Sequence, residues 1–283
     1  MNSFTLAYSS CPNDTFIFHA LTHRLIQSHG FDFKITMADV ETLNQHATNK
    51  FFDITKLSFA TFGAIRDNYS LLKTGAALGR GCGPLVVSLP GKIMKNNIKV
   101  AVPGTGTTAS VLFSMFIKNS FPEIKLVIVP MPFENIMPAV GSGITDFGVI
   151  IHEGRFIYQN MGLECLVDLG AWWETNTSLP IPLGCIAIKR DIYHEAEEIA
   201  FMIQNLIGQS IQYAFDNPYA SRDYIKKHAQ ELDDHVIEQH INLYVNDFSK
   251  DIGEEGEAAI RMFFQKAEDE GIIKPSNKPL FAC

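Results

Sequence analysis

The chain has 283 residues, of which 46% are hydrophobic, and its formal net charge is −8. Its length exceeds that of one small domain and predicts two compact units, each with its own core. The acidic balance argues against a nucleic-acid partner, since such surfaces are usually basic.

Cysteine usage and the first residues indicate the compartment. The five cysteines form no Cys-x-x-Cys pair, so we expect free thiols in a reducing compartment rather than disulfides or a zinc site. The start Met-Asn-Ser-Phe-Thr-Leu-Ala-Tyr has neither a basic segment nor an apolar core, which predicts no secretory signal. No apolar stretch approaches the roughly 20 residues of a membrane helix. We expect a cytoplasmic protein with no membrane partner.

The first predicted unit alternates strands and helices. Residues 4–8 predict a strand, 9–15 a turn rich in capping residues, and 16–26 a helix. Free N–H groups at that helix start favour an anion, although an ordinary N-cap is the more common outcome. Strands are predicted at 32–40 and 52–58, and helices at 41–49 and 59–67. Lys56 and Ser58 lie two apart on one face of a strand end. Lys56 is a candidate for holding a carboxylate; the alternative is a solvated lysine.

A glycine-rich segment at 75–84 predicts an irregular, flexible crossing, with the domain boundary between residues 89 and 97. A strand at 99–102 then leads through Gly-Thr-Gly-Thr-Thr into a helix at 109–117. We expect glycines there to let a ligand approach the backbone, with Thr107, Thr108 and Ala109 facing an oxyanion. The loop lacks the Gly-Lys-Ser/Thr of a Walker A loop, and it does not fit Gly-x-Gly-x-x-Gly, so a dinucleotide is not indicated.

The segment 145–153 contains the strongest catalytic candidate. Residues 147–151 are apolar or glycine and predict a buried parallel strand, after a strand at 126–129 and a helix at 132–140. The strand ends at His152 and Glu153. Ligands of open α/β sheets bind beyond the carboxyl ends of strands, and an imidazole titrates near neutral pH. His152 is therefore a candidate for proton transfer; the alternative is a structural histidine that caps the strand.

The remaining chain predicts a strand at 163–169, a proline-rich crossing at 178–182, a strand at 183–188 returning to the first unit, and then helices at 193–216, 219–228, 233–245 and 254–270. Trp172 and Trp173 are interpreted as packing residues, with a wall for a flat ring as the alternative. His235 and His240 are five apart, which does not suit a metal pair.

We predict a larger lobe of residues 1–93 and 184–283, an inserted lobe of residues 94–183, and a ligand cleft between them.

Several motifs together resemble the 1,4-dihydroxy-6-naphthoate synthase family of the futalosine route to menaquinone. They are Ser-Cys-Pro-Asn-Asp-Thr-Phe-Ile-Phe at 10–18, Asp-Val-Glu-Thr-Leu-Asn at 39–44, Thr-Lys-Leu-Ser at 55–58, Gly-Ala-Ala-Leu-Gly-Arg-Gly at 75–81, Gly-Pro-Leu-Val-Val at 83–87, Val-Ala-Val-Pro-Gly at 100–104, Ile-Ile-His-Glu at 150–153 and Val-Asp-Leu-Gly-Ala-Trp-Trp-Glu at 167–174. The resemblance covers nearly the whole chain.

The resemblance implies an α/β, two-lobed fold like that of type II periplasmic binding proteins, with a central cleft and a hinge. It implies a lyase that converts cyclic dehypoxanthinyl futalosine to 1,4-dihydroxy-6-naphthoate without a cofactor or metal. By the same resemblance, the catalytic base is His152. The implied substrate contacts are Lys56, Leu57, Ser58, Thr108 and Ala109.

We hypothesise that a helix-start pocket holds the substrate's aromatic carboxylate, with help from Lys56 or Ser58. Neutral His152 then removes a proton from the sugar-derived half, and lobe closure excludes water. Two alternatives remain at this stage: a cytoplasmic receptor for small carboxylates, and the chorismate dehydratase of the same pathway. The expected partner is a small molecule with a carboxylate, and the chain is either a monomer or a homodimer.

Overall fold

The computed structural model describes residues 2–193, 197–229 and 233–283, and their strands form two sheets. The strands are β1 (Asn2–Tyr8), β2 (Phe31–Met37), β3 (Ile54–Ser58), β4 (Tyr69–Leu71), β5 (Ala77–Gly79), β6 (Leu85–Ser88), β7 (Lys99–Val102), β8 (Val127–Pro130), β9 (Phe147–Ile150), β10 (Glu164–Asp168) and β11 (Ile181–Lys189). The first sheet has the order β2-β1-β3-β11-β4, with β5 paired to β11. The second has the order β10-β6-β9-β7-β8.

Helices follow most strands, as the alternating sequence pattern predicts. They are α1 (Pro12–Thr22), α2 (Val40–Thr48), α3 (Phe59–Ile65), α4 (Thr108–Ser120), α5 (Phe133–Gly141), α6 (Gly154–Ile157), α7 (Leu169–Thr177), α8 (Arg190–Tyr193), α9 (Glu197–Asp216), α10 (Arg222–His228), α11 (Asp234–Tyr244), α12 (Asp247–Lys250) and α13 (Gly253–Asp269). Of the helix predicted at 193–216, residues 194–196 lie outside the described part. None of the helices in the described ranges is long and apolar enough to cross a bilayer.

The first sheet is built on β1, in which Leu6, Ala7 and Tyr8 are fully buried. It pairs in parallel with β2 and β3, so their carboxyl ends meet at one edge. β11 runs antiparallel to β3 and opposes Cys185 to Leu57. Helices α1 and α9 pack on this sheet, where the rings of Tyr8 and Phe18 stack at 4.4 Å. This arrangement places the residues that follow β1 and β3 side by side.

The start of α1 differs from the prediction. The sequence predicts a turn through Thr15 and a helix from Phe16, but the helix begins at Pro12. Proline is well suited to the first helical position because its φ is already helical and its missing N–H has no helical partner there. The earlier start places Asn13 and Asp14 in the first helical turn, where both are buried.

In the second sheet, the buried strand predicted at 147–151 is present as β9. It pairs in parallel with β7 but antiparallel with β6. The expectation of a parallel strand is therefore right on one side only. β6 enters this sheet directly from the glycine-rich crossing and runs in the opposite direction, which a strand's own apolar pattern does not encode.

The glycine-rich segment 75–84 is not wholly irregular, contrary to the prediction. Its residues Ala77–Gly79 form β5 and pair with β11. The following strand β6 belongs to the second sheet, although the sequence analysis placed residues 85–93 in the first lobe. We therefore propose that the first lobe comprises residues 2–80 and 181–283, and the second lobe residues 84–178.

The two tryptophans lie on α7 and not in a loop. Trp173 is fully buried, packs against Phe263 and donates its indole N–H to the carbonyl of Pro180 at 3.0 Å. Trp172 packs edge-to-face with Phe116. Both contacts agree with the interpretation of packing residues. The largest buried cluster contains residues of both lobes, so the lobes share a packed interface.

We expect Gly83→Ala to destabilise the protein, because a Cβ there would lie 2.3 Å from the backbone Cα of Gly170. Overpacking of this kind lowers the free energy of unfolding by about 1–3 kcal/mol. Denaturant unfolding measures it. The matched control is Gly141→Ala, whose Cβ would meet nothing within 4 Å. Equal stability of the two variants would contradict the packing argument.

Candidate active site

A cavity with about 720 Å³ of empty space, part of it open to solvent, lies between the two sheets. All the residues predicted for the site line it, although they come from three separate segments. They are Lys56, Leu57, Ser58, Thr107, Thr108, Ala109 and His152. This arrangement shows where the residues lie, and their roles stay predictions. Their convergence is what a single substrate site requires.

His152 reaches the cavity through an unusual backbone conformation. β9 ends at Ile150, and His152 has a φ of +55°, in the left-handed region. Such a conformation costs a non-glycine residue roughly 1–3 kcal/mol, and strain of this kind clusters at functional sites. The ring lies between that of Phe133, at 5.0 Å, and that of His240, at 5.8 Å.

The charge state of His152 depends on its neighbours. Burial of the ring lowers its pKa, but Cys11, which is hydrogen-bonded to it, together with Glu153 and Asp14, raises the pKa to about 9. At neutral pH His152 therefore favours the imidazolium form, whereas the sequence analysis expected a neutral ring. A general base must be unprotonated, so the neutral fraction of His152 is the form that can accept a proton.

Lys56 is not a solvated strand-end lysine. Its buried ammonium forms an ion pair with Asp14 at 3.0 Å and donates to the carbonyl of Gly75 at 2.7 Å. An ammonium has three donors, so one remains for a ligand in the cavity. Asp14 also accepts from the backbone N–H and hydroxyl of Ser9. The first turn of α1 thus contains its own carboxylate, which argues against the external anion considered for this helix start.

The second predicted cradle, at the start of α4, keeps its backbone donors. The Thr107 hydroxyl donates to the Gly104 carbonyl at 2.9 Å, and the Thr108 hydroxyl donates to the Leu183 carbonyl at 2.7 Å. Neither hydroxyl hydrogen is left for a ligand. In the described part of the chain, the N–H groups of Thr108 and Ala109 have no hydrogen-bond acceptor. With the dipole of a 13-residue helix, they are suited to an oxyanion.

The glycines of this loop are needed for a different reason than expected. A Cβ on Gly104 would lie 2.4 Å from the Glu41 carboxylate, and one on Gly106 would lie 2.8 Å from the Thr61 hydroxyl. Thr61 donates to the Gly106 carbonyl at 2.8 Å. Burial raises the pKa of Glu41, although the Gly106 N–H donates to it. The first lobe, and not a ligand, therefore occupies the space beside these glycines.

Ser58 and Leu57 contribute differently to the cavity. Asn44 accepts a hydrogen bond from the Ser58 N–H at 2.9 Å and donates to its hydroxyl at 3.1 Å. Because the Ser58 oxygen accepts this hydrogen bond, its own hydroxyl hydrogen points away from Asn44 and can be donated to a ligand. Leu57 is only 1% exposed and packs in the core. Its carbonyl lies opposite Cys185.

Several residues of the site were not predicted from the sequence. Asn13, Asp14, Cys82 and Tyr244 also line the cavity. The Cys-Pro-Asn-Asp run was predicted as a turn leading into a helix, yet its early proline was the signal for a helix that starts there and buries the next residues. Nothing local to Tyr244 marks it, because α11 reaches the site only through the tertiary fold.

Comparisons with known proteins agree on one family. The sequence model of the menaquinone biosynthesis family matches residues 4–269. A protein named 1,4-dihydroxy-6-naphthoate synthase from Thermus thermophilus is 43% identical over 99% of this chain and 100% of its own length. A Streptomyces coelicolor protein of the same name is 43% identical over 96% of this chain and 95% of its own.

Solved structures give the fold. Protein AF1704 from Archaeoglobus fulgidus superposes with a TM-score of 0.88 at 32% identity, covering 96% of this chain and 98% of its own. The alkanesulfonate-binding protein SsuA from Xanthomonas axonopodis, bound to MOPS, has a TM-score of 0.72 at 11% identity over 100% of this chain and 97% of its own. The fold is thus of the two-lobed periplasmic-binding-protein type, as the sequence analysis predicted.

The Cys11–His152 pair predicts a shift that NMR can measure without any ligand. His152 should titrate with a midpoint of about 9. Cys11→Ala removes a group that favours the imidazolium, so the midpoint should move to lower pH. Cys283→Ala, which removes an exposed thiol, is the control and should leave it in place. An unchanged midpoint in Cys11→Ala would show that the sulfur does not set the charge of this ring.

Proposed function

The chain belongs to the menaquinone biosynthesis family, and we propose that it catalyses the reaction for which its 43% identical relatives are named. It is a carbon–carbon lyase that cleaves cyclic dehypoxanthinyl futalosine and releases 1,4-dihydroxy-6-naphthoate. The observation that carries this proposal is the meeting of His152, Lys56 and the free N–H groups of α4 in one cavity.

The substrate's aromatic carboxylate binds at the first turn of α4. There the N–H groups of Thr108 and Ala109 donate to it, and the helix dipole favours its charge. Lys56, with its remaining donor, and the hydroxyl of Ser58 line the same cavity. The flat rings lie against apolar residues such as Leu43 and Leu183, which also line the cavity. Few polar groups within an apolar cavity orient an aromatic substrate.

His152 acts as the general base. Its imidazole accepts a proton from the sugar-derived half of the substrate, and fragmentation then releases the naphthoate with a second aromatic ring. Only the neutral form of His152 can accept this proton, so the base acts from the fraction of rings that are unprotonated. The contacts of Glu41 and Thr61 with the glycine loop hold the lobes together and limit the access of water.

The direct test is a product assay with purified protein and cyclic dehypoxanthinyl futalosine. Chromatography against authentic 1,4-dihydroxy-6-naphthoate identifies the product. Parallel incubations contain chorismate, which tests for a dehydratase, or a chelator, which tests for a required metal. Tight binding without product would instead favour a receptor. Absence of product from the futalosine derivative would refute the proposal.

We expect His152→Asn to lower kcat by about 10²- to 10⁴-fold, because it removes the general base. Asparagine tolerates the left-handed backbone of this position, so the fold should persist. The matched control is His29→Asn: His29 is exposed and has a φ of +49°. Turnover of His152→Asn near that of the control would rule out His152 as the base.

Lys56 has a structural and a binding role, and two variants separate them. Lys56→Met leaves Asp14 buried without its partner, which should lower the free energy of unfolding by about 3–5 kcal/mol. Lys56→Met with Asp14→Asn removes both charges and should recover most of that stability. Denaturant unfolding measures both. If Lys56 binds the carboxylate, the stable double variant should still show a raised KM; a wild-type KM would assign Lys56 to structure alone.

A further inference from the structure

His240 is a buried imidazole that lies directly behind the proposed base. It is only 1% exposed, and it does not line the cavity. Its ring is parallel to that of His152, with an interplanar angle of 5° and centroids 5.8 Å apart. Tyr244, one helical turn further along α11, covers it at 4.7 Å. The two histidines therefore form an offset stack whose outer member faces the cavity.

A chain of hydrogen bonds fixes the tautomer of His240. Asp14 is paired with Lys56, and its carboxylate accepts from the side-chain amide N–H of Asn13 at 2.9 Å. Because the NH₂ group of Asn13 faces Asp14, its amide oxygen faces His240 Nε2, at 3.0 Å. An amide oxygen only accepts, so Nε2 carries the hydrogen. In the neutral ring, Nδ1 is then the unprotonated nitrogen.

The surroundings keep this ring neutral. Nδ1 is buried, and the described residues provide it with no hydrogen-bond partner. Glu153 is the nearest carboxylate, with 4.0 Å between Oε2 and Nδ1. The other titratable groups packed against the ring are His152 and Tyr244, while Asp14 lies behind Asn13. Burial and the neighbouring His152 lower the pKa of His240 well below its usual value.

A neutral aromatic ring stabilises a cation placed within about 6 Å of its centroid. A parallel ring at this distance also restricts the rotation of its neighbour. We propose that His240 is a positioning residue: locked by Asn13 in the Nε2–H tautomer, it orients His152 toward the cavity and stabilises the imidazolium formed when His152 accepts the substrate proton. The proposed role of His240 depends on the proposed function for the identity of the reaction, but the effect of His240 on the titration of His152 does not.

Two variants separate the ring from the hydrogen bond. His240→Gln retains an N–H donor for Asn13 but loses the ring. His240→Phe retains the ring but leaves the Asn13 oxygen buried without a donor. The matched control is His235→Gln, which changes an exposed residue of the same helix. If His240→Gln does not fold, His240→Leu, of similar size, replaces it.

Loss of the ring should lower kcat by about 10- to 100-fold, as removal of a supporting residue usually does, while KM changes little. It should also move the NMR titration midpoint of His152 to lower pH in the unliganded protein. His240→Phe should keep that midpoint near the wild-type value and lose mainly thermal stability. The control should match wild type in every measurement.

The proposal is overturned if His240→Gln keeps wild-type kcat and an unchanged His152 midpoint. It is also overturned if kcat falls only as far as stability does, with the midpoint unmoved, because His240 would then be purely structural. The titration uses no substrate. A wild-type protein that makes no naphthoate would therefore refute the proposed function while leaving the effect of His240 on His152 measurable.

Discussion

The buried ion pair of Lys56 and Asp14 is the interaction on which the site depends. It joins the end of β3 to the first turn of α1, at the edge where two parallel strands finish side by side. Removing two charges from water costs several kcal/mol each, so such a pair is an inefficient source of stability. Here the pair orients its neighbours. Asp14 accepts from the Asn13 amide N–H, so the Asn13 oxygen faces His240 and fixes its tautomer. The ring of His240 lies against that of His152.

The two lobes meet over the cavity through contacts that leave little room for other residues. Thr108 accepts from the Ala60 N–H and donates to the Leu183 carbonyl, so one hydroxyl joins the start of α4 to two elements of the first lobe. Glu41 and Thr61 occupy the space beside Gly104 and Gly106. Backbone N–H groups, and not threonine hydroxyls, are therefore the donors that the start of α4 offers to a ligand. Such donors are fixed before binding and need no reorganisation.

Acid–base chemistry in this site is divided among groups with opposite preferences. His152 is held toward the protonated form by Cys11 and nearby carboxylates, whereas His240 is held neutral by burial. Two adjacent imidazoles would repel if both were charged, so only one can carry the proton. The partly exposed member is the one that faces the cavity. The buried member supplies a fixed ring that does not compete for the proton.

The sequence by itself determined the order of most elements and the positions of the residues proposed for the site. The apolar runs located β1, β3, β7 and β9, and strand ends located Lys56 and His152, because alternation and burial are local properties of a strand. The glycine–threonine loop before α4 was likewise visible as a helix start.

Only the tertiary structure decided which of these residues meet. The pairing of β6 with β9 depends on where the crossing delivers the chain, which no local pattern encodes. The ion pair of Lys56 joins residues 42 positions apart, since Asp14 lies in the first turn of the helix that follows another strand. No local sequence pattern marked His240 as a site residue. Its proposed role arises only because packing places it against His152, which lies 88 positions earlier in the chain. Short-range periodicity defines the elements, whereas long-range packing assembles the site.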